Sequence, residues 1–133
     1  MTTVLVAADG AWVRNLVRTS VGSHETQIIE CTRGQDVRDV VAEQKPDIVV
    51  LDMQIGNMGG IAVALDLHLE AGAGRAPDVP IILLLDRKAD YFLAVRANVD
   101  VVLLKPVDPS TLHKTVMELI SENAEMVSEV VDS

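Results

Sequence analysis

A chain of 133 residues is one domain of ordinary size, and its net charge of −9 argues against a nucleic-acid surface, which needs clustered Lys and Arg. Hydrophobic residues make up 49% but aromatics only 2%, so the core has to be built from Val, Leu, Ile and Ala. The longest apolar runs fall well short of a membrane span, no basic segment precedes an apolar stretch at the N-terminus, and Cys31 stands alone, so no membrane contact, a cytoplasmic location and a buried structural thiol are expected.

Thr3 to Ala8 reads as an apolar strand ending at Asp9, followed by a helix over Ala11 to Val21 with Val13, Leu16, Val17 and Val21 on one face. Gly22 ends that helix, Gln27 to Cys31 makes a second strand, and Asp36 to Gln44 is a helix packing Val37, Val40 and Val41 before Pro46. Ile48 to Leu51 is a β-branched and aliphatic run too short for a helix, which argues a strand buried on both faces. It ends on Asp52, and Gly56, Gly59 and Gly60 release the chain into a turn. A helix follows from about Ile61 to Glu70, with Val63, Ala64 and Leu67 inward.

The small-residue loop from Ala71 to Val79 leads to a fourth strand, Ile81 to Leu85, ending at Asp86. Arg87 to Ala97 is expected to be helical, and Val101 to Leu104 is the fifth strand, broken by Lys105-Pro106. Asp108-Pro109 has the form of an N-cap followed by proline at the first helical position. The apolar pattern of that last helix, Leu112, Val116, Leu119 and Ile120, runs on into Ala124, Val127, Val130 and Val131. Residues 1–121 are therefore expected to form the domain and 122–133 an extension of its last helix, whose apolar spacing favours a partner or a second copy.

Strands alternating with helices over short connections predict an α/β fold, a doubly wound parallel sheet of five strands with five helices on its two faces. The carboxyl ends of the strands then share one edge, where such sheets place their chemistry, and they offer Asp9, Asp52, Asp86 and Lys105. Neighbouring carboxylates repel unless a cation neutralises them, and Mg²⁺ suits because it takes one or two carboxylates and keeps several waters. A lysine beside them offers a compact charge to a phosphoryl oxygen, so the set suits capture of a phosphoryl group on a carboxylate.

In the order and spacing of these residues the chain resembles the receiver domains of two-component response regulators, over about residues 3 to 121. Leu51-Asp52, Met58, Gly60, Lys105-Pro106 and Arg14 all stand where that family has them. The resemblance implies a flavodoxin-like receiver topology, Asp52 as phosphoacceptor, and Asp9, Asp52 and the main-chain carbonyl of Gln54 as Mg²⁺ ligands. It also implies that Lys105 contacts the phosphoryl group and that a cis peptide precedes Pro106. A histidine kinase or phosphotransfer protein would be the donor in a phosphorelay, with a downstream protein as target. The sequence carries no output domain, so a stand-alone receiver is expected, without enzymatic turnover, that signals by protein contact. The face of the fourth and fifth helices is the expected place for the target or for a homodimer.

The chain also departs from the family. Ala8 replaces one of two acids usual at the end of the first strand, and Gly10 supplies none, so Mg²⁺ binding is expected to be weak. Leu85 stands in place of the Ser or Thr that closes the fourth strand, Asp86 in place of a small residue, Val102 in place of the aromatic that rotates on activation, and Gly56 in place of a loop proline. Leu85, Asp86 and Val102 are therefore candidate regulatory positions. They support the alternative, a receiver-like interaction module that works without phosphorylation.

Each candidate also has a plainer role. Asp86 reads first as the N-cap of the helix from Arg87, ahead of a metal or regulatory role, and Asp9 as a cap of the first helix beside its metal role. Lys105 reads also as a structural ion pair with Asp52. If the acids repel, Asp52→Asn should stabilise the fold, and pairing with Lys105 would reverse that sign. Trp12, Tyr91 and Phe92 are the only large rings; packing is their ordinary role, and Tyr91 is the one expected at the surface. His24, His68 and His113 have no Ser or Cys in register and read as surface or packing residues. A flavin or dinucleotide site needs a Gly-rich or hydroxyl-rich loop after the first strand, which Asp9-Gly10-Ala11-Trp12 does not supply. An aspartyl-phosphate hydrolase would want its nucleophile after the first strand with a second Asp two residues on, whereas Asp52 follows the third and leads to Gln54.

Overall fold

The apolar segments pair into one parallel sheet of five strands in the order β2-β1-β3-β4-β5. The strands are β1 (Thr2–Ala7), β2 (Thr26–Cys31), β3 (Ile48–Asp52), β4 (Ile81–Leu85) and β5 (Val101–Leu104). The helices are α1 (Ala11–Val21), α2 (Val37–Gln44), α3 (Gly60–Gly72), α4 (Tyr91–Arg96) and α5 (Pro109–Asp132). The structure, a computed structural model, describes residues 1–56 and 58–132, with side chains as far as Asn123. This is the doubly wound order expected from the sequence.

Because side chains alternate along a strand, each strand feeds two cores. Val49 and Leu51 of β3, with Leu5, Ala7, Ile81, Leu83 and Leu85 of its neighbours, join Val37, Val41, Val63, Ala64, Leu67 and Ala94 of α2, α3 and α4. Ile48 and Val50, with Val4, Val6, Ile82 and Leu84, meet Val13, Val17 and Val21 of α1 and Leu112 and Val116 of α5. Every residue of β3 and β4 is buried, which is why both segments are apolar but for Asp52 at the end of β3, whereas the edge strand β2 exposes Gln27 and Glu30. Each such Val, Leu or Ile contributes about 1.5–3 kcal/mol of burial.

The stretch expected as a single helix from Arg87 to Ala97 divides into a 3-10 turn, Lys88–Asp90, and the six-residue α4. Asp90 is the physical reason. It is buried, and its carboxylate accepts hydrogen bonds from the Arg87 guanidinium at 3.2 and 3.3 Å, fastening a turn three residues wide before the helix can start. Asn98, at φ 57°, takes the chain out of α4 in the left-handed conformation that ends many helices. Asp108 caps α5 as expected, accepting from the Thr111 main-chain N–H at 3.1 Å. α5 continues to Asp132, but the side chains of Ala124, Val127, Val130 and Val131, on which its expected interaction face rests, lie outside the described residues. Among the described residues no helix is long and apolar enough to cross a membrane.

Candidate functional site

The strand order reverses between β1 and β3, and the chemistry-bearing residues stand at the carboxyl edge on both sides of that point. Asp52 closes β3 and is 4% exposed. A carboxylate buried this far needs partners. Its Oδ1 accepts from Lys105 Nζ at 2.6 Å and from the Gln54 main-chain N–H at 3.1 Å. Lys105, carried just past β5 with a cis peptide to Pro106, also donates to both oxygens of Asp86, at 3.2 and 3.3 Å. The Trp12 ring lies with its centroid 5.2 Å from the same ammonium, a cation–π contact.

Asp9 follows β1 and is exposed. Its turn is pinned from behind by Arg14, whose guanidinium donates to the carbonyls of Ala8 and Asp9 at 3.1 and 2.8 Å and is itself anchored on Glu30 at 3.5 Å. Across from it passes the loop after Asp52. A Cβ on Gly56 would sit 2.8 Å from Asp9 Oδ2, the free end of an exposed side chain, so a larger residue there would turn the Asp9 carboxylate aside. Gly60 is the position that requires glycine, because a Cβ would come within 2.8 Å of two fixed backbone atoms, the Asp52 carbonyl oxygen and Met53 Cα.

Among the described residues no three His, Cys, Asp or Glu side chains gather closely enough to hold a metal ion. The candidate donors are thus two carboxylates, Asp9 and Asp52, and the Gln54 carbonyl. All are hard oxygens and fit a small divalent cation that retains much of its water. Ala8, fully buried, adds no ligand.

The remaining candidates divide. Leu85 and Val102 belong to the apolar layer rather than the acidic edge, and with Lys88, Tyr91 and Leu104 they wall a groove of about 420 Å³ beside α4. Asp86 caps no helix: α4 begins at Tyr91, neither it nor the turn before it has a side-chain cap, and the Asp86 carboxylate is spent on Lys105. Asp9 makes no cap either, since Gly10 holds that position in α1 without a side-chain hydrogen bond. All three rings face outward, Trp12 56%, Tyr91 57% and Phe92 64% exposed, where packing was the ordinary expectation and only Tyr91 was placed at the surface. The contacts of Trp12 and Asp86 with Lys105 are what sequence reasoning missed, because no spacing rule links them. His68 and His113 bond the main-chain oxygens of Asn98 and Ser20 at 3.0 and 2.9 Å, away from the site. Burial pushes the Cys31 thiol up, outweighing its hydrogen bond to the Arg33 carbonyl, so it stays a protonated core residue.

A family model described as the response regulator receiver domain matches residues 4–117. The transcriptional regulatory protein RstA of Escherichia coli is 26% identical over 114 residues, covering 84% of this chain and 45% of RstA. Protein PilH of Pseudomonas aeruginosa is 25% identical over 121 residues, covering 91% of this chain and 99% of PilH. The chain thus spans about half the length of RstA and of several other curated relatives it matches. Among solved structures, the receiver domain of a Pseudomonas aeruginosa sensor histidine kinase, with a magnesium ion coordinated in its active-site cleft, superposes with a TM-score of 0.78 at 17% identity, covering 90% of this chain and 98% of that one.

Proposed function

The chain belongs to the response regulator receiver domain family, and from that premise we propose that Asp52 accepts a phosphoryl group and that a protein partner reads the change by contact. The observation that carries the proposal is the buried Asp52 carboxylate with Lys105 Nζ at 2.6 Å, at the carboxyl end of a central strand. In the transfer, an Asp52 carboxylate oxygen forms the new bond to phosphorus as the donor's bond to phosphorus breaks, its electron pair leaving with the donor. A histidine kinase or phosphotransfer protein would supply the group from a phosphohistidine. Lys105 stands ready to neutralise the phosphoryl oxygens, and Arg14 holds the Asp9 turn in place. Asp9, Asp52 and the Gln54 carbonyl would hold Mg²⁺, which when bound offsets the negative charge of the phosphoryl oxygens. With Ala8 contributing no ligand, the affinity is expected to be low.

For the readout, α4 is the supported surface: Tyr91, Phe92, Leu93 and Val95 are all exposed on six residues, beside the groove under Leu85 and Val102. We place the downstream target, or a second copy of the chain, on this face together with α5. The decisive experiment is intact mass after incubation with acetyl phosphate and Mg²⁺. A gain of one phosphoryl group in the wild type and none in Asp52→Asn is expected. Leu85 and Val102 support a second reading, a module that binds without phosphorylation, and no mass gain, with no response of Trp12 fluorescence to Mg²⁺, would favour it.

A further inference from the structure

Lys105 faces two carboxylates of different standing. Asp52 is fixed at the end of a buried strand, while Asp86, with its side chain 37% exposed, opens the turn that leads from β4 into α4. The ammonium is itself almost enclosed, and it divides its donors between them: one oxygen of Asp52 and both of Asp86. The other roles open to Asp86 are weaker. It caps no helix, and its oxygens are already engaged by a cation of this chain.

We propose that Asp86 is a positioning residue of the phosphoacceptor site, holding Lys105 as a standing competitor of any phosphoryl group on Asp52. The proposal rests on Asp52 as acceptor and adds the group that opposes it. An acyl phosphate there brings close to two negative charges within reach of both Lys105 and Asp86. Those charges attract the lysine and repel the carboxylate. Phosphorylation therefore strips Lys105 from Asp86 and drives Asp86 outward. Because Asp86 leads directly into the turn Lys88–Asp90 and α4, the displacement reaches the helix that carries the exposed apolar residues. A hydroxyl drawn inward to the phosphoryl group would move this turn the other way, and Leu85, apolar and buried at the end of β4, has none to offer.

The test compares wild type, Asp86→Asn and Asp86→Glu under acetyl phosphate and Mg²⁺, following intact mass with time, with Asp52→Asn as control. Main-chain hydrogen exchange over residues 86–90 is measured in parallel without donor. The expected result is phosphorylation about two- to fivefold faster in Asp86→Asn, the scale of a partly exposed ion pair. Asp86→Glu, which keeps the charge, should stay near the wild-type rate. Exchange in the turn should quicken in Asp86→Asn, whether or not Asp52 reacts. Equal or slower phosphorylation of Asp86→Asn overturns the proposal and leaves Asp52 as acceptor. If no variant gains mass, the acceptor reading fails and takes the competitor role of Asp86 with it; exchange in the turn that is unchanged in Asp86→Asn while the wild type gains mass overturns the clamp alone.

Discussion

One ammonium sets the balance of charge in the pocket. Lys105 pairs with Asp52 at 2.6 Å and with Asp86 at 3.2 Å, while Asp9 stands exposed beyond them. Two opposed effects bear on Asp52→Asn: relief of repulsion among carboxylates, and loss of a buried pair. Removing one member of a buried pair typically costs about 3–5 kcal/mol when the other is left alone. Here Asp86 remains to hold the lysine, so a loss of about 1–3 kcal/mol is expected. It is read as a fall in the urea midpoint at unchanged slope. A rise in the midpoint would mean that repulsion among the acids outweighs the pair.

At the scale of the element, α4 is the weak member of the fold. Six residues cannot hold a helix by propensity. It is kept by the Arg87–Asp90 clamp before it, by Ala94 in the core, and by Arg96 lying 5.3 Å over the Phe92 ring. Beneath it β5 offers Val102 and Leu104, and the groove of about 420 Å³ is the space a larger side chain at Val102 would take. Val102→Tyr is therefore expected to be accommodated, with stability unchanged or raised by up to about 1 kcal/mol. A fall in unfolding free energy beyond about 1 kcal/mol, read from denaturant unfolding, would show that the groove is closed in solution. The same geometry explains why sequence periodicity overran this segment. Its apolar spacing fits a helix from Arg87, but the Asp90 carboxylate fastens a tighter turn first.

For the whole molecule, the described side chains that anchor α5 lie in its first half. Leu112 and Val116 are fully buried and Leu119 and Ile120 pack on the same layer. Truncation after Ser121 is expected to change folding stability by less than about 0.5 kcal/mol, the scale of surface changes. It should instead lower the sedimentation mass or abolish partner capture. Unchanged mass and unchanged capture would remove the interaction role of residues 122–133.

What the sequence by itself determined is what local pattern can encode. The all-apolar runs of β3 and β4 state both strand and double burial, the cap at Asp108 starts α5, and the acids and lysine at the strand ends announce a shared edge. Order and spacing of Asp9, Asp52 and Lys105 sufficed to place them on one edge because a parallel sheet aligns the carboxyl ends of its strands. Only the tertiary structure decided which partner Asp86 takes, that Trp12 covers Lys105, and that all the rings face solvent. A short acid after a strand satisfies a helix cap and a neighbouring lysine equally well by sequence. The choice follows from where the neighbouring strand delivers its ammonium, and that distance exists only once the sheet has formed.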